Sequence, residues 1–283
     1  MGKLSRVLAL AVGISFILGL PMAHAFSSAT HLYIAQHAFG VQNTDLFYGS
    51  IAPDIALYTD PDKWPTAFGD THYDYVDLKR YAVFPVQKAF AKGWLTHNEL
   101  WGADYYAHIL NPLGNNVCAT TSPNGYVIEK ACLLSQGTGI DSGFAHLVVE
   151  IAIDLLLRNN LDPKLGEKLM NASSSRSLLD RTLLATALVW NWRDQRTDWF
   201  TLASTELTFR GVVDLYAAPL KLPSPYNEQA LAKLGARLAE AYGMDVSEEE
   251  VLAILEAAIV LCEDDYEYLV EYVISAIKGN LGL

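Results

Sequence analysis

Residues 93–108 read GWLTHNELWGADYYAH and hold His97, Asp104 and His108, seven and then four residues apart. If the stretch is helical, each residue turns about 100° around the axis, and the three side chains fall within an arc of about 40°. Two imidazoles and a carboxylate on one stripe form a ligand set suited to zinc. An ordinary half-exposed helix face with polar residues is the other reading, and this stretch alone does not separate them.

Working outward, other segments carry the same residue types. Residues 26–39, FSSATHLYIAQHAF, spell a helix that Ser28 or Thr30 would cap, with His31 near its start and His37 on another face, read as structural. In residues 48–55, YGSIAPDI, Pro53 puts Asp54 at a bend or a helix start. Residues 59–64, TDPDKW, lack the oxygen spacing of a calcium loop and read as a surface turn. His72 lies within FGDTHYDY, residues 68–75, with a helix expected to follow into Lys92. Residues 142–159, SGFAHLVVEIAIDLLLRN, form a strongly apolar helix in which His146, Glu150 and Asp154 share a face. A charged pair on so apolar a face is costly unless partnered, by a salt bridge or by a metal ion. Asp154 either orients a histidine from behind or has no part.

The ends and the charge bound the function. Residues 1–25 have the form of an export leader: Lys3 and Arg6, an apolar run over 7–20, and Ala23-His24-Ala25 as the cleavage pattern. Cleavage there makes Phe26 the first mature residue and implies a secreted or periplasmic protein. Loss of those two basic residues takes the formal charge from −12 to −14. Such acidity disfavours extended nucleic-acid contact and strongly anionic lipid surfaces. Cys118 and Cys132 flank a loop rich in Asn, Gly, Ser and Thr, which they could close as a disulfide; Cys262 reads as a buried free thiol.

Residues 111–143 read as a long polar excursion, either a lid or binding loop or simply irregular. From residue 171 onward the chain is helical and chemically quiet: 177–196, 197–217, 227–242 and 247–279 carry apolar residues at helical spacing. Ser247 and Glu250 make a capping box at the start of the last run. Strand signals are weak throughout, so the expected fold class is all-α: one multi-helix domain over 26–283, with a motif-bearing half (26–158) and a helical C-terminal part (171–283). The five histidines His31, His72, His97, His108 and His146, with Asp54, Asp104 and Glu150, all lie within the first 150 residues.

The ordered motifs FSSATHLYIAQHA, GSIAPDI, THYDY, GWLTH, ADYYAH and HLVVE resemble the phospholipase C/P1 nuclease superfamily of zinc phosphodiesterases, and within it the bacterial zinc-dependent phospholipase C group. The resemblance implies an all-helical fold with a cleft holding two to three zinc ions. It implies that Phe26 binds one ion through its amine and carbonyl, together with His31. Asp54, His72 and His97 would hold a second, Asp104 would bridge these two, and His108, His146 and Glu150 would hold the third. Phe26 stands where the family has tryptophan, and the interval from His97 to Asp104 is longer than the family's. The implied activity is phosphodiester hydrolysis by metal-activated hydroxide oriented by Asp54, with a phospholipid substrate and transient membrane-surface contact. A nuclease of the same superfamily and a non-catalytic zinc-binding helical protein are the alternatives. Trp64, Phe68, Tyr73, Tyr105 and Tyr106 are candidates for an apolar wall beside the metals, or are simply core.

Overall fold

In the computed structural model, residues 27–59, 67–73, 75–114, 118, 124–191, 199–241 and 246–283 are described, and every element among them is helical. The leader and Phe26 lie outside these residues, as does Trp64. Among the described residues no helix is long and apolar enough to cross a membrane.

The first helix, α1 (Ser28–Phe39), ends where Gly40 takes a left-handed conformation at φ 66°. Its other end is capped from far away. Neither Ser28 nor Thr30 caps it, and the side chain of Ser27 at the cap position makes no capping bond. Instead the Asp154 carboxylate accepts the backbone N–H of Ala29 at 3.2 Å and of Thr30 at 2.7 Å, together with the Thr30 hydroxyl at 2.5 Å.

Asn43 caps α2 (Thr44–Ile51) by accepting the Leu46 N–H. The chain then tightens into a 3₁₀ helix, Ala52–Tyr58, with Pro53 in its first turn, where a missing N–H costs nothing. A π-type turn, Gly69–Tyr73, and a short 3₁₀ turn, Leu78–Arg80, lead to α3 (Pro85–Trp94). The helix expected directly after residue 75 therefore begins ten residues later, where proline can occupy the first turn.

Helices α2 and α3 cross in backbone contact. A Cβ on Gly49 would sit 2.1 Å from the Phe90 carbonyl oxygen, and one on Gly93 would sit 2.0 Å from that of Leu46. Only glycine at both positions permits this approach.

Residues 93–108 are not one helix. After Trp94 the Thr96 hydroxyl donates to the Gly93 carbonyl at 2.7 Å, and the Asn98 amide donates to that of Leu95 at 2.9 Å. The Asn98 side-chain oxygen then accepts the N–H of Leu100 and of Trp101. These side chains take over backbone groups that a helix would have used. The chain turns, resumes at Ala103, and closes with a π-type turn at Tyr105–Ile109.

The polar excursion is only partly loop, since it contains α4 (Tyr126–Thr138), and Cys118 is disulfide-bonded to Cys132 within that helix. Next come α5 (Ser142–Leu156), capped by Asp141, and α6 (Leu165–Ser174). The C-terminal part comprises α7 (Leu178–Asn191), α8 (Trp199–Leu220), α9 (Tyr226–Ala241), α10 (Glu248–Cys262) and α11 (Tyr266–Leu281). The capping box of Ser247 and Glu250 is formed at α10. The final run divides in two at Glu263–Asp265, where the Asp265 carboxylate is held by the Tyr126 hydroxyl and by Lys130 at 2.7 Å, both from α4.

One large core unites the two parts. α10 packs on α5, α11 on α1, and α8 on α6. From α8 the Tyr216 hydroxyl donates to Asp154 at 2.7 Å, and Glu206 accepts the Tyr48 hydroxyl at 2.8 Å. Glu206 also pairs with Arg176 at 2.6 Å and Arg181 at 2.5 Å. The C-terminal helices thus buttress those that carry the histidines.

Candidate metal centre

The polar side chains converge from several elements. His31 comes from the first turn of α1, and Asp54 from the 3₁₀ helix after α2. His72 and His108 lie in π-type turns, backbone irregularities often found at functional sites. His97 and Asp104 flank the turn after α3, tied by the Asp104 N–H to the His97 carbonyl at 2.9 Å. His146 and Glu150 lie one turn apart on α5, with Asp154 a turn further on.

The structure brings the eight side chains into three groups, each able to offer ligand atoms within 4.8 Å of one another: Asp54, His72 and His97; His31, His97 and Asp104; and His108, His146 and Glu150. The Asp104 carboxylate joins the first two. Its Oδ1 lies 3.1 Å from His31 Nε2, and its Oδ2 lies 3.2 Å from His97 Nε2 and 3.6 Å from His72 Nε2. His97 and Asp104 share a group even though they are not on one helical stripe.

A fit test comes from the separations. An ion bound tetrahedrally through bonds of about 2.0–2.1 Å holds its ligand atoms about 3.3 Å from one another. The Nε2 atoms of His72 and His97 are 3.2 Å apart, and each is 3.5 Å from Asp54 Oδ1. With the two distances to Asp104 Oδ2, five of the six edges of a tetrahedron lie between 3.2 and 3.6 Å. The two imidazole nitrogens in the set argue against calcium, which takes oxygen ligands.

The outward ring nitrogens fit as well. His97 Nδ1–H donates to the Ser50 carbonyl at 2.8 Å, His72 Nδ1 meets the Thr71 hydroxyl at 2.7 Å, and His108 Nδ1–H donates to Glu99 at 3.0 Å. A hydrogen bond at Nδ1 leaves the Nε2 lone pair facing inward, the arrangement seen in metal-ligating histidines. His108 Nε2 and both Asp104 oxygens are buried without a hydrogen bond. The Asp104 contacts are charge contacts, not well-directed hydrogen bonds.

Burial and mutual charge set the protonation states. Burial opposes the charged form of His97, but Asp104 and Asp54 outweigh it and hold its pKa well above the usual value. Burial likewise opposes ionisation of Asp54 and Asp104, yet His97 and its neighbouring histidines depress both below the usual carboxylate range. Burial, followed by the charge of His97, lowers His31. Burial and then the charges of Asp54, Asp154 and Asp104 raise Glu150 well above an ordinary glutamate, so the third group lies within electrostatic reach of the first two. A cation would relieve this repulsion.

Two residues have roles that sequence reasoning does not assign. Glu99 sits in the turn as one acid among polar residues, with no periodic signal to single it out. Asp154 orients no histidine; it caps α1 immediately before His31. Of the candidate wall, Phe68 is buried and stacks on the His72 ring at 3.8 Å, Tyr106 is buried against Tyr272 at 5.7 Å, and Tyr73 and Tyr105 are partly exposed. His37 is exposed and stacks on Tyr33, away from the site, as its place on another helix face predicts.

No protein-family model matches this chain, and neither does any curated protein or solved structure.

Proposed function

We propose that this protein is an exported zinc-dependent phosphodiesterase acting on phospholipids in the manner of a phospholipase C. The observation that carries the reading is the tetrahedral spacing of His72, His97, Asp54 and Asp104, with Asp104 turned toward His31 through its other oxygen. Mixed imidazole and carboxylate donors at this spacing favour zinc over magnesium or calcium. The ordered motifs, which resemble those of the zinc phospholipase C group, suggest the reaction class.

In this reading His31, with Phe26, holds one ion, Asp54, His72 and His97 a second, and His108, His146 and Glu150 a third, with Asp104 shared between the first two. Bound zinc supplies Lewis acidity toward phosphate oxygens and a hydrolytic water of lowered pKa. Asp54 has the most exposed side chain of the set at 14%. It faces incoming substrate and orients the attacking water by hydrogen bonding, while the buried Asp104 keeps the histidines in register. The leader and the disulfide support a location outside the cytoplasm. The net charge of −12 favours a lipid or small diester over a nucleic acid.

The test is elemental analysis of the mature protein together with turnover of phosphatidylcholine vesicles and of single-stranded DNA. The expected result is two to three zinc ions and zinc-dependent release of diacylglycerol. Asp54→Asn should lower that rate by at least about 100-fold, the scale of lost acid–base assistance. DNA cleavage without lipid cleavage would make the protein a nuclease, and bound zinc with neither activity would make it a binding protein.

A further inference from the structure

The histidines of the site rest on different supports. His97 leans on a backbone carbonyl and His72 on a hydroxyl, both neutral acceptors. His108 leans on a carboxylate: Glu99 Oε1 lies 3.0 Å from its Nδ1, and both side chains are buried. Glu99 has two further partners. Its backbone N–H donates to the His72 carbonyl at 2.9 Å, and the Tyr73 hydroxyl is within electrostatic reach of its carboxylate, which, after burial, raises the Tyr73 pKa. Tyr73 is 46% exposed, and its ring packs edge-on against Phe68. A chain of contacts therefore runs from the surface through Tyr73 and Glu99 to His108. It ends at His108 Nε2, which is buried with no hydrogen-bond partner.

We propose that Glu99 is a positioning residue for the third cation, and that Tyr73 tunes it from the surface. The inference rests on the zinc reading above. An ionised carboxylate on Nδ1–H fixes the imidazole tautomer and makes Nε2 a stronger donor. Among the described residues no comparable charge meets Nδ1 of His72 or His97, so this effect belongs to the ion held by His108, His146 and Glu150. The Tyr73 hydroxyl draws electron density from the same carboxylate, so its effect on the third ion passes through Glu99. Because Tyr73 is half exposed, a substrate covering it alters the affinity for one ion and leaves the bridged pair undisturbed.

The experiment is stepwise removal of zinc from the full mature protein by a graded chelator, with bound zinc counted at each step. Wild type, Glu99→Gln, Tyr73→Phe and the double variant are compared, and His146→Ala marks the step that belongs to the third ion. Glutamine keeps an acceptor for Nδ1–H and removes only the charge. Glu99→Gln is expected to lose one zinc at a free-chelator level about 10- to 100-fold lower, with the other steps unmoved. Tyr73→Phe is expected to shift that same step by less, and to add nothing in the double variant. Tyr73 is partly exposed, so its variant serves even if Glu99→Gln fails to fold. The proposal is overturned if the Glu99→Gln and Tyr73→Phe release curves superpose on wild type, or if every ion is lost in parallel. A wild type that binds no zinc would sink the zinc reading itself, a result distinct from either.

Discussion

Asp180, on α7, is a fully buried acid whose two oxygens have no hydrogen-bond donor. Burial, and then the nearby carboxylate of Asp45, push its pKa up to about 9. It therefore keeps its proton at neutral pH. Because the folded value is raised above the usual 3.8, the group's contribution to stability is complete below that pH. It is lost as pH rises, and the loss is complete above about 9. Asp180→Asn keeps the shape without the proton uptake. Urea denaturation at pH 5, 7 and 9 should show a flatter profile for the variant, by up to about 1.4 kcal/mol per pH unit. Parallel profiles would mean that Asp180 is ionised throughout. The site acids behave oppositely. Asp54 and Asp104 are depressed, so their contribution is present above 3.8 and lost as pH falls. His97 is raised, so its contribution is full below 6.5 and lost as pH rises through the higher folded value. A cation must displace that His97 proton, so zinc affinity should rise with pH in a calorimetric titration, with proton release.

At the scale of elements, the crossing of α2 and α3 governs where the ligands sit. It brings Ser50 under His97 and sets Asp54 opposite His72. Gly93→Ala would drive a methyl group into the Leu46 carbonyl, with a cost of about 1–3 kcal/mol or more and loss of bound metal. Gly211→Ala is the matched control: it lies in α8 with nothing within 4 Å of the added carbon. That change should be neutral or stabilising by up to about 1 kcal/mol, by helix propensity. Denaturation of both variants checks the contrast, and equal effects would remove the crossing from the argument. Elements also show what a sequence discloses. The helix of 142–156 is legible from unbroken apolar spacing, and the start of α10 from its capping box. The turn at 95–102 is not, because Thr96 and Asn98 are compatible with a helix and act only through where their side chains bond. Helix α4 is hidden by the glycine, serine and asparagine that surround it.

For the whole molecule, the resemblance in motif order and the convergence of the eight candidate ligands point the same way. Residue types and their order were readable along the chain because each ligand sits in a short local pattern. The supports were not: Glu99 has no pattern of its own, and Asp154 meets α1 across more than a hundred residues. Charge and metal are coupled at this scale. A chain with a net charge of −12 that gathers four acids and five histidines, counting Glu99, into groups able to hold cations should depend on such cations for stability. Chelation should lower the melting temperature, and zinc at 1,000 times its dissociation constant should restore about 4 kcal/mol per site. An unchanged melting temperature would show that the metal is not linked to folding.

The long-range cap on α1 also bears on biosynthesis. The helix carrying His31 cannot settle its first turn until residue 154 has left the ribosome, and Asp154 lacks one of its donors until Tyr216 follows. The nascent front half, though it holds every metal-binding motif, would emerge as an unfinished nest of imidazoles. Tyr216, from the C-terminal part, completes a cap that the front half can only begin.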